Sequence, residues 1–221
     1  MSNWPFAEAD EERPRRRAPW GVLALVLLTG LALVRSGSGE LDSGPPQPAS
    51  AATAERRAPE PARAKAARPL PFSPVDRVRI PAIRVDAPVA EVGLDAEGWI
   101  DAPPPKEANL AGWFTGAAAP GERGTAVVVG HVDNARGPAV FYGLGSLREG
   151  HHVEIRRKDG RTAVFRVYGV EVFAKSRFPG RKVYRSRGTP ELRLITCGGR
   201  FSKSEGYEGN VVAFARLVST R

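Results

Sequence analysis

Short apolar runs separated by glycine and proline dominate the chain from about residue 70 to its end. The runs are dense in Val, Ile, Phe and Tyr, which is typical of β-strands. They predict strands at residues 77–80, 87–92, 125–131, 152–157, 162–172, 192–197 and 211–218. Because no βαβ alternation separates them, the pattern predicts a mainly β domain, built as a closed barrel or a sandwich.

Two connections carry their own signals. Lys158-Asp159-Gly160-Arg161 predicts a hairpin turn, because Asp-Gly readily adopts positive φ. A helical piece is predicted within residues 139–147, and Gly143 and Gly145 keep it short.

The N-terminal third has a different pattern. An arginine-rich segment, residues 13–17, precedes an uncharged apolar stretch at 20–34, which as a helix would span about 23 Å. We interpret residues 18–35 as a transmembrane anchor, with a cleaved signal peptide as the alternative. The positive-inside rule then leaves residues 1–17 in the cytoplasm and the rest outside the cell membrane. Residues 36–71, rich in Pro and Ala, predict a disordered stalk before a folded domain at 72–221.

The formal net charge is +9, and arginine supplies most of the positive charge. The basic residues are scattered and not interleaved with aromatic residues, so the charge does not indicate nucleic-acid binding. A solvated basic surface accounts for it, with attraction to anionic wall polymers or lipid head groups as the alternative.

Candidate chemistry centres on the single cysteine, Cys197, at the end of a predicted strand and before Gly198-Gly199. A lone thiol in an exported protein is either buried and inert or free and reactive. Thiol catalysis needs a proton-transfer partner. Among three histidines, His131 ends a buried-type strand, whereas His151 and His152 follow a tight turn. We therefore pair Cys197 with His131.

Other chemistries lack their patterns. The cysteine and histidine spacings do not match a zinc site, and the acidic residues are too isolated for calcium. The chain also lacks a phosphate loop and a G-x-S-x-G motif. The sequence predicts neither a metal nor another cofactor.

At these residues the chain resembles the sortases, membrane-anchored cysteine transpeptidases of Gram-positive bacteria. Leu194-Ile195-Thr196-Cys197 resembles their nucleophile strand, and Val129-Gly130-His131 their histidine segment. Residues 80–89 resemble their opening I-P-x-I-x-V-x-x-P-V segment. The downstream pattern is similar to the actinobacterial group called class F; it comprises Cys197-Gly198-Gly199-x-Phe201, Tyr207 and Asn210-Val211-Val212.

The resemblance implies an eight-stranded β-barrel and a two-step reaction. Cys197 would attack the Thr–Gly amide of an L-P-x-T-G-like sorting signal and form a thioester. An amine of a peptidoglycan precursor, or a pilin lysine, would then resolve the thioester. His131 would serve as general acid and base, and Thr196 would add its backbone or hydroxyl to the substrate site.

Sortases also use an arginine on the strand after the nucleophile, and the corresponding window here, residues 207–210, contains none. Arg200 could fold back across the loop, or the Asn210 amide could donate a hydrogen bond instead. Arg193 has the strand parity of Cys197 but lies about 13 Å away along an extended strand.

Two other functions stay open. An L,D-transpeptidase would have a Ser-x-Gly-Cys-like setting, which Thr196-Cys197-Gly198 does not supply. A catalytically silent surface β-module that binds wall polymer or a partner protein is favoured by the missing arginine and the basic surface.

Overall fold

The computed structural model describes residues 44–48 and 67–221, and these form a closed eight-stranded β-barrel. The strand order around the barrel is β1-β2-β3-β4-β9-β10-β8-β7, and β7 pairs with β1 to close it. The predicted mainly β fold, with a closed eight-stranded barrel, is therefore confirmed. Its strands are β1 (Val75–Ile80), β2 (Val85–Val92), β3 (Ala111–Phe114), β4 (Gly124–Gly130), β7 (His152–Arg157), β8 (Thr162–Ala174), β9 (Pro190–Ser202) and β10 (Gly206–Thr220).

Short elements fill the connections. β5 (Asp133–Asn134) and β6 (Gly137–Pro138) form a small separate ladder. Within the described residues, short 3-10 helices lie at Pro81–Ile83, Leu144–Ser146 and Lys175–Arg177, and an α-helix, α1, spans Gly180–Tyr184.

All seven predicted strands are present, and several are longer than predicted. β9 and β10 run beyond residues 197 and 218 because they pair as one long hairpin. The predicted helical piece at 139–147 is reduced to the 3-10 turn Leu144–Ser146. The predicted turn at 158–161 joins β7 to β8, and Gly160 has a φ of +81° there.

Apolar side chains pack on both faces of the sheet that carries the later strands. One cluster fills the barrel and includes Leu192 and Leu194 of β9. A second cluster covers the outer face and includes Val129 of β4, Ile195 of β9 and Phe214 of β10. Burial on both faces explains why β4 and β9 are nearly continuous apolar runs. We call these the inner and outer faces below.

The predicted anchor at 18–35 and most of the predicted stalk at 36–71 lie outside the described residues. Within the described residues, no helix is long and apolar enough to cross a membrane. The backbone contacts the barrel from Ala67, whose N–H donates to the Leu217 carbonyl at 3.4 Å, and the Leu70 N–H donates to the Gly121 carbonyl at 2.8 Å. The segment that leads into β1 thus contacts the barrel a few residues before the predicted boundary at 72, and residues 44–48 of the predicted stalk contact it as well.

Candidate active site

Two parallel strands bring the predicted histidine and cysteine together. β4 and β9 run side by side, with Val129 opposite Ile195. His131 follows Val129 by two residues, and Cys197 follows Ile195 by two, so both lie just beyond the last recorded pair of these neighbouring strands. Val129 and Ile195 both belong to the outer face, and the period of two puts His131 and Cys197 on the same face.

Both side chains line one cavity of about 480 Å³. The loop between β2 and β3 forms one wall, and the segment between β8 and β9 forms another. The walls are mostly apolar, as expected of a site that binds part of a peptide. The lining residues are Trp99, Ile100, Ala102, Val129, Gly130, His131, Lys175, Phe178, Tyr184, Ile195, Thr196, Cys197 and Asn210.

The imidazole of His131 is held by a backbone carbonyl. Its Nε2 lies 2.7 Å from the carbonyl oxygen of Pro103. Because a carbonyl only accepts hydrogen bonds, this contact assigns the proton of the neutral ring to Nε2 and leaves Nδ1 as the basic nitrogen. The Asn134 side chain donates to the Pro105 carbonyl at 3.0 Å. The loop after β4 is therefore attached to the proline run in two places.

The thiol of Cys197 is half-buried and has no disulfide partner. Burial raises its pKa, the positive charge of Lys175 lowers it, and the negative charge of Asp133 raises it. The net shift is upward from a value that already lies above neutral. The resting thiol therefore keeps its proton at neutral pH, and attack on a carbonyl requires a base such as His131.

The carboxylate of Asp133 connects the loop after β4 to β10. Its oxygen accepts a hydrogen bond from the Tyr207 hydroxyl. Burial and the neighbouring carboxylate raise the pKa of Tyr207, so the phenol stays neutral. This contact and the Asn134 hydrogen bond hold the segment that begins with His131.

The structure separates the three other predicted site residues. Asn210 is paired directly with Cys197 on β10, and opposite residues of an antiparallel pair share a face, so its carboxamide lines the cavity. Thr196 pairs with Val211 of the inner cluster, and its hydroxyl is buried without a hydrogen-bond partner. Only the backbone of Thr196 can therefore face a substrate. Arg200 is exposed and does not line the cavity.

Arg193 has the parity of Cys197 but is not available to a substrate. Its guanidinium is buried and forms an ion pair with the carboxylate of Glu191. Its Nε also donates to the carbonyl oxygen of Val183 at 2.9 Å. These contacts lock Arg193 beneath the segment between β8 and β9.

Sequence reasoning missed the residues that the connecting segments bring to the cavity. Trp99 and Ile100 come from the loop before β3, and Lys175 and Tyr184 come from the segment before β9. The sequence gives little indication of these residues, because a single aromatic or lysine residue in a loop is not part of a helix or strand pattern. The exposed position of Trp99, 62% accessible, is the one cue that its neighbourhood offers a binding surface.

A proline-rich segment from the predicted stalk, residues 44–48, lies against the barrel near the thiol. The Gly199 N–H donates to Oε1 of Gln47 at 3.2 Å, and the Tyr142 hydroxyl donates to the Gly44 carbonyl at 3.1 Å. Gly199 adjoins an irregularity in the β9–β10 pairing, where a ladder partner is missing. Gln47 therefore satisfies a donor two residues beyond Cys197.

Comparisons with known proteins agree on the family. The family described as Sortase domain matches residues 78–218. Sortase A from Corynebacterium diphtheriae has a similar structure, with 20% identity and a TM-score of 0.50, over 67% of this chain and 62% of that one. Sortase C1 of Streptococcus agalactiae, in a complex with MTSET, is 20% identical with a TM-score of 0.51, over 66% and 70% of the two chains. Sortase C-1 from Actinomyces oris is 20% identical with a TM-score of 0.51, over 67% and 76%. No curated protein matches this sequence at a significant level.

Proposed function

Because this chain belongs to the sortase family, whose members are cysteine transpeptidases, we propose that it cleaves an L-P-x-T-G-like sorting signal and transfers the acyl part to an amine. The observation that carries this proposal is that His131 and Cys197, which follow the paired residues Val129 and Ile195 of β4 and β9, line one cavity. The mostly apolar walls suit the Leu and Pro side chains of such a signal.

In the first step, His131 Nδ1 takes the Cys197 proton and the sulfur attacks the Thr carbonyl carbon. A C–S bond forms, and the π pair of the carbonyl moves onto oxygen. When that oxyanion collapses, the C–N bond breaks and the imidazolium returns its proton to the departing glycine amine. The Pro103 carbonyl keeps Nε2–H in place throughout, and it stabilises the imidazolium that forms between the two transfers.

In the second step an amine of a peptidoglycan precursor, or a pilin lysine, attacks the thioester. His131 takes the amine proton, the new C–N bond forms, the C–S bond breaks and the thiolate regains a proton. The Asn210 carboxamide, opposite Cys197, is positioned to donate to the oxyanion of both steps. The Thr196 backbone completes the wall beside the sulfur. Arg200, which is exposed outside the cavity, would contact only parts of the substrate that extend beyond it.

The cellular setting is also part of the proposal. The arginine-rich segment followed by an apolar stretch supports a single-pass anchor at 18–35, with the barrel on the outer side of the cell membrane. The residues downstream of Cys197 support assignment to class F. Surface proteins that carry the sorting signal and the amine of the wall precursor are the proposed partners.

Transpeptidation by the full chain tests the proposed function. The protein is incubated with an L-P-x-T-G peptide and an amine, and the exchanged product is measured by mass spectrometry. We expect product from the native chain and none from Cys197→Ala or His131→Ala. His152→Ala is the matched control, because His152 is exposed and does not line the cavity. Product from Cys197→Ala would overturn the proposal. A native chain that binds wall polymer without forming product would favour the silent β-module instead.

A further inference from the structure

The cavity around Cys197 contains one lysine whose position no sequence motif indicates. Among residues 44–48 and 67–221, Lys175 is the one lysine or arginine that lines this cavity. It begins the 3-10 helix Lys175–Arg177, directly after β8 ends at Ala174. Its side chain is exposed, and in the described part of the chain no carboxylate lies within ion-pair distance of it.

Strand register explains why the end of β8, which Lys175 follows, lies near Cys197. Asn210 of β10 pairs with Cys197 on one side and with Phe173 of β8 on the other. These three residues therefore form a row across adjacent strands, on one face, about 10 Å from end to end. Lys175 follows Phe173 by two residues, and its flexible four-carbon stem extends from the β8 end of this row into the cavity.

Other cations near the site are already occupied or face elsewhere. Arg193 is paired with Glu191 beneath the outer cluster. The Nζ of Lys182 lies 3.0 Å from a Glu171 carboxylate oxygen and 4.9 Å from the centre of the Phe173 ring. Arg200 is exposed outside the cavity. Of the lysines and arginines in the described part of the chain, Lys175 is left as the one that lines the cavity of the reacting atoms.

We propose that the Lys175 ammonium group supplies the positive charge that stabilises the Cys197 sulfur and the oxyanion, the role that an arginine downstream of the nucleophile fills in other sortases. The part of this inference that concerns the oxyanion rests on the proposed function. The effect of the Lys175 charge on the Cys197 thiol does not depend on any substrate.

The charges around the sulfur agree with this role. Within residues 44–48 and 67–221, the titratable groups that line the cavity or interact with the charge of Cys197 are His131 from the loop after β4, Asp133 from β5, Lys175 from the end of β8, Tyr184 from α1 and Tyr207 from β10. Tyr207 is neutral and Asp133 opposes formation of a thiolate. The positive charge of Lys175 favours it. During attack the negative charge passes from the sulfur to the carbonyl oxygen, and both positions lie within the cavity that Lys175 lines.

The substrate-independent test is the pH dependence of Cys197 alkylation by iodoacetamide in the full chain. We expect Lys175→Gln to slow alkylation at a fixed pH near 8 by about three- to tenfold, because a rise of one pKa unit lowers the thiolate fraction about tenfold. Lys175→Arg keeps the charge and should restore the rate to within about threefold of the native chain. The difference should shrink in 1 M salt, because the side chain is exposed and the Debye length falls to about 3 Å.

Lys203→Gln is the matched control, because Lys203 is an exposed lysine in the turn between β9 and β10. In this variant Cys197 should react with iodoacetamide at the native rate. Arg200→Gln removes the cation nearest to Cys197 in sequence and should have a smaller effect than Lys175→Gln. Native alkylation rates in Lys175→Gln, or a larger effect of Arg200→Gln, would overturn the proposal.

Acylation by an L-P-x-T-G peptide gives the second readout. Here Lys175→Gln should lower kcat/KM by about 10- to 100-fold. The upper value approaches the loss of rate that follows removal of one hydrogen-bond donor to an oxyanion. Lys175→Arg should again recover most of the loss. If the native chain forms no acyl-enzyme while the alkylation differences hold, the proposed function fails and the charge assignment stands. If acylation is normal in Lys175→Gln, the charge assignment fails and the function stands.

Discussion

The buried ion pair between Glu191 and Arg193 offers a direct test of how the site is supported. Both side chains are almost inaccessible, with exposed fractions of 2% and 3%. The Tyr168 hydroxyl donates to Oε2 of Glu191 at 3.0 Å, and the Arg193 guanidinium lies 4.7 Å from the centre of the Phe214 ring. Replacing Glu191 with Gln keeps the shape and an acceptor for Tyr168, but it leaves the guanidinium without a counter-charge.

An uncompensated buried charge costs about 3–5 kcal/mol when one partner of such a pair is removed. This is a large fraction of the roughly 5–15 kcal/mol that stabilises an ordinary domain. Glu191→Gln should therefore lower the urea midpoint of the full chain by about 2 M, given a slope of about 2 kcal/mol/M. Arg193→Met should cost a similar amount. The double variant should cost less than the sum of the two single variants, because it leaves no unpaired charge.

The surface pair between Arg156 and Asp76 supplies the matched control. Its side chains are 56% and 43% exposed, so Asp76→Asn should change the free energy of unfolding by less than about 1 kcal/mol. Tryptophan fluorescence during urea titration measures all four variants. A Glu191→Gln variant as stable as Asp76→Asn, or fully additive single variants, would refute the reasoning from burial.

Three further predictions concern the strand around the thiol. Gly198→Ala should destabilise the protein by about 1–3 kcal/mol, because the new Cβ would lie 2.5 Å from Cγ2 of Val211; in urea titrations, Val211→Ala should remove part of this penalty, and full additivity would argue against the clash. Gln47→Ala removes the acceptor of the Gly199 N–H, so hydrogen exchange of that amide should accelerate; unchanged exchange would show that the contact does not protect it. Alkylation of native Cys197 should still be rising above pH 9, because burial raises the thiol pKa and the proton is lost only above it; a plateau below pH 8 would contradict this.

Much of the site could be predicted because Cys197 and His131 belong to strongly patterned strands. An apolar run such as β4 predicts a buried strand. The loop that follows such a strand is a common position for catalytic side chains, and His131 begins this loop. The pairing of β4 with β9 could not be derived from such local patterns, since parallel register between distant segments depends on the whole barrel. The resemblance to a family supplied that step.

The search for a cation that assists Cys197 shows where spacing along the sequence is a poor guide. Arg200 is three residues from Cys197 along the chain, but it is exposed on the part of β9 beyond the cavity. Arg193 has the correct parity, yet Glu191 neutralises it. Lys175 follows the end of another strand, β8, and the folded barrel brings it to the same cavity as Cys197.

For local reasons, β3 was not predicted, and the helix predicted within residues 139–147 was too long. β3 is a four-residue strand, Ala111–Phe114, with small residues at its first two positions, so its periodic signal is minimal. Residues 139–147 are apolar enough to suggest a helix, but only Leu144–Ser146 closes a 3-10 turn. The Pro46 carbonyl occupies the space where a side chain at position 145 would lie, so the segment 44–48 packs directly against Gly145.

The central claim is that Cys197 forms a thioester with a sorting signal. The full chain is mixed with an L-P-x-T-G peptide, quenched in acid and digested, and the peptide that contains Cys197 is analysed by mass spectrometry. We expect a mass increase on Cys197 equal to the part of the peptide that ends at its Thr. Neutral hydroxylamine should remove this adduct. An unmodified Cys197 after prolonged incubation with the peptide, in a chain whose thiol still reacts with iodoacetamide, would contradict the claim.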